Sequence, residues 1–306
     1  MLGKRSVRTV VAVFMAAGFA SGAGAETPWW QNRAGNSGLD DRTFYDNAKA
    51  RVKWDDGTIE VKAGATADLK KSANLAHARS IALKTARHLA YEKMLETIKG
   101  LSLTSSTVYR DELLSNSTLR TDLKGFVRGA RVVKEEEKFL PDGSIWVEVT
   151  IGQFLYGKKS LSAASTPALK ATPKKPVKLF APKVEVHKRP ALNTSYSGLV
   201  IDARKLGIRP AMFPKIVTPD GRAVYSAHQT TEEYILTQGL VGYATSTERA
   251  KEQGRVGKNP LVIKALKSSG SHHANVVVST ADAVRIFAAD LKSKVLNEAR
   301  VVFVIN

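Results

Sequence analysis

Chemistry in this chain has to come from histidines, carboxylates, hydroxyls and cations, because it contains no cysteine. Thiolate nucleophiles, thiolate metal ligands and disulfides are therefore excluded. There are six histidines among 306 residues, and none falls in a His-Glu-x-x-His or EF-hand pattern. His272-His273 is the best candidate metal pair, but neighbours in a Ser/Gly loop diverge, so a solvated loop is expected. His77 and His88 share a helical face at a separation of roughly 16 Å, too far apart to share one ion. There is no Gly-x-Ser-x-Gly motif, and no Ser-x-x-Lys with its companion motifs. Ser271-His272 puts a hydroxyl beside an imidazole, yet sequence neighbours rarely have triad geometry. Gly254-Arg-Val-Gly257-Lys258-Asn259 imitates a phosphate loop, with two spacers where four are needed and Pro260 where a helix should start. One constellation remains. Asp202 and Arg204 lie at the end of an apolar run, and Arg209, Arg255 and Asn259 lie on turn-rich segments. If Arg204, Arg209, Arg255 and Asn259 converge, they bind a carboxylate or phosphate; structural ion pairing is the alternative. No enzyme is expected, and no catalytic, cofactor or metal site.

The address is easier to read. Lys4, Arg5 and Arg8 precede an apolar run, Val10 to Ala20, and Ala23-Gly24-Ala25 supplies small residues for cleavage. Residues 1–25 therefore read as a signal peptide. No later run reaches the roughly 18 apolar residues of a membrane span. The mature chain is expected to be exported, in the periplasm or cell envelope, with at most peripheral membrane contact. Export makes nucleic acid an unexpected partner despite a formal charge of +19. Envelope proteins and anionic envelope polymers remain as partners.

The charge is uneven. Residues 26–156 carry 20 basic and 18 acidic groups, and residues 191–306 carry 15 and 9. Between them, residues 157–190 carry nine cations, one acid and five of the eleven prolines. That stretch reads as a flexible basic linker. Its candidates for electrostatic contact are Lys158, Lys159, Lys170, Lys174, Lys175, Lys178, Lys183, Lys188 and Arg189. The expected fold class is α+β, with two domains, 26–156 and 191–306, each a mostly antiparallel sheet packed with helices.

In the first domain, Trp29-Trp30 tuck back onto the fold or contact a partner. Arg51 to Lys62 alternates apolar and charged residues around Asp56-Gly57, a hairpin signal. Lys71 to Lys99 has no Pro or Gly and reads as an Ala-rich helix with Leu75, Ala76, Ala82, Leu83, Ala86, Leu89, Ala90 and Met94 on one face. Leu101 to Ser106 is strand-like, and Val108 to Lys124 is weakly helical. Gly125 to Leu140 and Ser144 to Gly152 flank Pro141-Asp142-Gly143 as a second hairpin. Glu135-Glu136-Glu137 reads as a solvated strand end.

This order, with Leu95-Glu-Thr-Ile-Lys-Gly100, Val127-Arg-Gly-Ala-Arg-Val-Val133 and Val147-Glu-Val-Thr-Ile151, resembles a family of small bacterial envelope lipoproteins. That family shares a domain with the N-terminal part of flagellar assembly protein T. The resemblance covers residues about 50–155 and implies an α+β envelope module with structural or assembly roles. The chain departs from it in having no cysteine to lipidate.

In the second domain, Leu199 to Ile201 and Arg300 to Ile305 read as buried strands, the latter central in its sheet. Ala211 to Val217 reads as a strand interrupted by Pro214, and Pro219-Asp220-Gly221 turns a hairpin. Thr230 and Glu233 fit a capping box, and Thr280 reads as the N-cap of a last helix. The function expected is a non-enzymatic envelope protein with a structural, scaffolding or assembly role, a flagellar association being its narrower form. The alternative is a module that binds an anionic glycan, wall or lipid component through the linker and second domain.

Overall fold

The structure, a computed structural model, describes residues 50–171, 178–181 and 195–305. Residues 1–25, expected to be a signal peptide, and Trp29-Trp30 lie outside the described residues, as do Lys174, Lys175, Lys183, Lys188 and Arg189 of the basic stretch. Among the described residues no helix is long and apolar enough to cross a membrane. The class is α+β: seven α-helices and three four-stranded sheets are described.

The first half is one antiparallel sheet covered by a long helix. β1 (Ala50–Lys53) pairs with β2 (Thr58–Asp68), and Gly57 turns the chain at a φ of 64°. α1 spans Leu75–Gly100. It starts four residues later than the sequence suggests, because Leu69–Lys71 forms a 3₁₀ turn and the Asn74 side chain caps α1 by accepting from His77 N at 2.9 Å. α2 (Tyr109–Ser115) and α3 (Ser117–Arg128) replace the single weak helix and take up residues 125–128 from the expected strand. Asn116 divides them, its side chain accepting from Leu119 N. β3 (Arg131–Phe139) and β4 (Ser144–Phe154) form the second hairpin, and the sheet order is β1-β2-β4-β3.

α1 buries a narrower stripe than the one read from the sequence: Ala78, Ala82, Ala86, Ala90, Met94 and Ile98. Every step is four residues, so one ridge meets the sheet. Leu75 and Leu89 of the expected face are turned outward. Under the ridge, β2 offers Ala63, Ala65 and Ala67, so methyl groups face methyl groups and the helix approaches closely. Two ion pairs fix its azimuth, Arg79 to Glu137 at 2.7 Å and Arg87 to Glu135 at 3.4 Å. Strand alternation sends Glu136 to the other side, where it pairs with Lys134. Ala86→Leu is therefore expected to cost about 1–3 kcal/mol by overpacking. Leu89→Ala, on the open side, should stay within about 0.5 kcal/mol. Urea unfolding midpoints of the two variants check the contrast.

The second half contains two sheets. β5 (Leu199–Asp202) is followed by β6 (Ile216–Val217), β7 (Ala223–Tyr225), α5 (Glu232–Gln238), β8 (Gly242–Ala244) and α6 (Thr247–Glu252). Then come β9 (Leu261–Lys264), β10 (Lys267–Ser269), β11 (Asn275–Val277), α7 (Thr280–Ser293) and β12 (Val301–Val304). One sheet, β10-β11-β6-β7, is mixed. The other, β8-β12-β5-β9, is parallel throughout, unlike the antiparallel pairing expected for this half. Long crossovers between short strands make it so, and the hairpin-like turns belong to its neighbour. β12 is central, as its unbroken apolar run implied, and Val301 to Val304 are all buried. Two caps differ from expectation. Ser279, not Thr280, caps α7, accepting from Asp282 N at 3.0 Å. Thr231 is the N-cap of α5, while Thr230 Oγ1 instead donates within the core, to Leu296 O and to Tyr225 Oη, each at 3.0 Å.

The linker reading needs correction at its start. Residues 157–171 are ordered. α4 (Leu161–Ala171) lies between α3 of the first half and α5 of the second. Ser160 Oγ accepts from Ala163 N and caps it. Ser162 Oγ donates to Ile235 O at 2.9 Å, and Ser165 Oγ meets Tyr109 Oη at 2.7 Å. Most of the prolines and cations that suggested a linker lie beyond Ala171; the serines and alanines before it let α4 pack closely on both neighbours, and the serine hydroxyls are satisfied by local or neighbouring oxygens. Further on, Phe180 N donates to Ala223 O and Ala223 N to Lys178 O, so this short piece lies along the edge of β7.

Candidate functional site

The place where most buried polar chemistry gathers is the joint between the halves. It is built from three pieces: the β1–β2 turn, the residues just after β4, and the N-terminal edge of the parallel sheet. Trp54 enters from the turn and meets Tyr243 of β8 edge to face, with ring centroids 5.6 Å apart at 73°. Tyr243 meets Phe303 of β12 in the same manner. The Tyr243 hydroxyl donates to Ala211 O and accepts from Ala211 N, both at 2.9 Å. Such edge-to-face pairs add about 0.5–1.5 kcal/mol beyond burial.

Behind them lies Arg255, 3% exposed. Its Nε donates to Ala299 O at 2.7 Å, Nη1 to Gln238 O at 2.7 Å and Nη2 to Gly239 O at 2.6 Å. The last two carbonyls end α5, so the cation completes that helix's C-terminus. Burial lowers the guanidinium to about 10, with nearby tyrosines opposing the shift, and it remains charged at neutral pH. Burial likewise pushes the Tyr156 and Tyr225 phenols up, so both stay protonated.

The backbone is shaped to admit these groups. Gly239 sits at φ 76° and ψ 169°, and a Cβ there would lie 2.1 Å from the Tyr156 ring. Two other seams join the halves. Met212 N and Phe213 N donate to Ser102 O and Leu103 O, and Asn275 Nδ2 donates to Ser105 Oγ at 2.7 Å. The His272-His273 turn docks on the first of these segments, His272 N donating to Ser105 O. Leu101 to Ser106, expected as a strand, is thus a loop whose backbone bonds serve the other half.

The four residues proposed for anion binding do not form one site. Arg204 pairs with Asp202 through two bonds, at 2.9 and 2.6 Å, beyond the C-terminal end of β5. That pairing holds the Asp202 carboxyl below its usual range. Asn259 lies at the opposite end of the strand, where its side chain donates to Ser195 O. Arg255 is enclosed, and Arg209 is exposed, its N–H donating to His273 O. Among the basic stretch, Lys158, Lys159 and Lys178 are exposed, and Lys170 falls in the last turn of α4. Among the described residues no group of three or more His, Cys, Asp or Glu is placed to hold a metal ion.

Sequence reasoning missed Tyr156, Tyr243 and Gln253, and assigned Trp54 only to its hairpin. Their positions in the chain are unrelated, and only the fold joins them.

Asp290, in the last turn of α7, is a half-buried ionisable group. Its Oδ1 accepts from Leu296 N at 2.8 Å, but burial outweighs this and raises its carboxyl above the usual 3.8. The native state thus binds the proton more tightly than the unfolded chain, and stability is lost as pH rises through the folded value. Asp290→Asn keeps an acceptor without the charge. It should be more stable than the native chain at neutral pH, with the gain vanishing below pH 3.8, as thermal unfolding across pH would show.

The chain has no match among curated proteins. Residues 198–306, which contain every element from β5 to β12, match the family model of the second domain of Treponema pallidum Tp0624.

Proposed function

We propose that this is a non-enzymatic, exported cell-envelope protein with a scaffolding or assembly role, in which two α+β units act as one body. The observation that carries this reading is the set of hydrogen bonds that cross between the halves. Met212 N and Phe213 N donate to Ser102 O and Leu103 O, Asn275 Nδ2 donates to Ser105 Oγ and Ser162 Oγ donates to Ile235 O, so these bonds hold two units in a fixed relation. A fixed relation between two surfaces is what a scaffold offers its partners. The resemblance of residues about 50–155 to a domain of flagellar assembly protein T supports a structural or assembly role in the envelope; the domain alone does not imply a flagellar one. Capture of envelope proteins by the mature chain at low and high salt tests the proposal. A partner that survives high salt is expected; retention of none would count against the scaffold.

A second reading, binding of an anionic glycan, wall or lipid component, is supported by the exposed Lys158, Lys159 and Lys178 and by the positive balance of residues 191–306. Its signature is loss of anionic ligand as salt rises and the Debye length falls below about 8 Å.

A further inference from the structure

β7 is an edge strand in the order β10-β11-β6-β7, and its outer edge is taken by a piece of the chain from outside that sheet. Residues 178–181 run parallel to it, bridged at Leu179 and Ala223. Phe180 N donates to Ala223 O and Ala223 N donates to Lys178 O, both at 2.8 Å. These two bonds read main chain only, so they suit any extended segment. The side chains of the segment differ sharply. Lys178 is exposed and Leu179 is 51% exposed, whereas Phe180 is 8% exposed and belongs to the hydrophobic core. The Arg222 guanidinium lies over its ring, 5.0 Å from the centroid. Asp220 holds that guanidinium through Nε at 2.6 Å, and Thr218 Oγ1 donates to the same carboxylate. The seat thus offers two main-chain partners, burial for one aromatic ring and a fixed cation above it.

The segment in the seat is a ligand tethered at both ends. Residues 172–177 connect it to α4, and residues 182–194 connect it towards β5. Tethering supplies a high effective concentration, so few contacts suffice to keep such a segment in place. Against two main-chain bonds and one buried ring stands the entropy of ordering four residues, and the two sides nearly offset one another. Once the seat opens, Ala223 presents an unpaired N–H and C=O on a sheet edge, which is the surface to which a foreign strand adds. The occupant's chemistry follows from the residues now in place. It is extended, because both bonds run to consecutive peptide groups around one residue. It needs an aromatic ring at one position, because Arg222 covers that position and would repel a cation there. Its neighbouring side chains are unconstrained, as the exposure of Lys178 and Leu179 shows.

We propose that the edge of β7 is a docking site for an extended segment of a protein partner, anchored by one aromatic residue, and that residues 178–181 fill it in the free protein as a tethered stand-in. The partner strand adds parallel to β7, bonds to Ala223 N and O, and places its ring under Arg222. This inference rests on the reading of the protein as a scaffold for protein partners, and it supplies the manner in which one of them is held.

The test uses the protein, its Phe180→Ala variant and a synthetic peptide of the sequence Val177-Lys-Leu-Phe-Ala-Pro-Lys183, with hydrogen exchange of the Ala223 amide followed by nuclear magnetic resonance. Exchange at Ala223 should be at least about tenfold faster in Phe180→Ala than in the native protein. The peptide should restore protection, and the same peptide with alanine in place of phenylalanine should not. Leu179→Ala should leave exchange unchanged. Full protection of Ala223 in Phe180→Ala, failure of the peptide to restore it, or equal action of the alanine peptide would overturn the proposal. So would a dimer of the native protein that Phe180→Ala dissolves, because the occupant would then be a second copy of this chain. If Phe180→Ala does not fold, the native protein decides: the peptide at millimolar concentration should displace residues 178–181 and shift the Ala223 amide resonance, and no shift would overturn the proposal. None of these outcomes depends on capture of an envelope protein, so the docking site and the scaffold reading fail separately.

Discussion

Replacing Arg255 with methionine should lower the stability of the protein by roughly 3 kcal/mol. Two effects oppose one another. Methionine removes a desolvated charge, which favours the variant. It also leaves the carbonyls of Gln238, Gly239 and Ala299 without their donors in a dry setting. Each abandoned carbonyl costs about 1–3 kcal/mol, so three outweigh the relief. Lysine separates the two effects. It retains the charge but not the planar fork that reaches three carbonyls. Arg255→Lys is thus expected to be at least as damaging as Arg255→Met. Urea unfolding of both variants reads the order directly, and a lysine variant close to the native chain would show that charge, not geometry, matters here.

Gly239→Ala should cost on the order of 4 kcal/mol. Its φ of 76° and ψ of 169° lie in a region that only glycine occupies readily, and the new methyl would meet the Tyr156 ring. Tyr156 belongs to the first half and Gly239 to the second, so the clash lies across the joint. In a Tyr156→Leu background the steric share should disappear while the backbone share remains. The double-mutant cycle is then expected to show coupling of about 1–3 kcal/mol. Additive effects would mean that the two residues do not meet as described.

What the sequence showed depends on how local each cause is. The Asp56-Gly57 and Asp142-Gly143 turns, the alanine helix and the apolar run of β12 were legible because neighbours in the chain determine them. The expected face of α1 was too broad, since periodicity cannot tell that Ala63, Ala65 and Ala67 admit only an alanine ridge. The parallel sheet was hidden by its short strands and by the hairpin turns of the sheet beside it. Residues 157–171 were misread because the prolines and cations counted over 157–190 fall mostly beyond Ala171, while burial by α3 and α5 makes the part before it a packed helix. The joint was not legible at all. Trp54, Tyr156, Gln253 and Arg255 have no common spacing, and Arg255, one of the cations foreseen as ligand contacts, holds main-chain carbonyls instead.

The scaffold reading rests on the two halves behaving as a single body. Hydrogen exchange of the protein at increasing urea measures this most directly, by following amides of α1 in the first half and β12 in the second. The expected result is that both lose protection together, at one urea concentration, and that Arg255→Met lowers that concentration equally for both. Loss of protection in β12 at a urea concentration where α1 remains fully protected would contradict it.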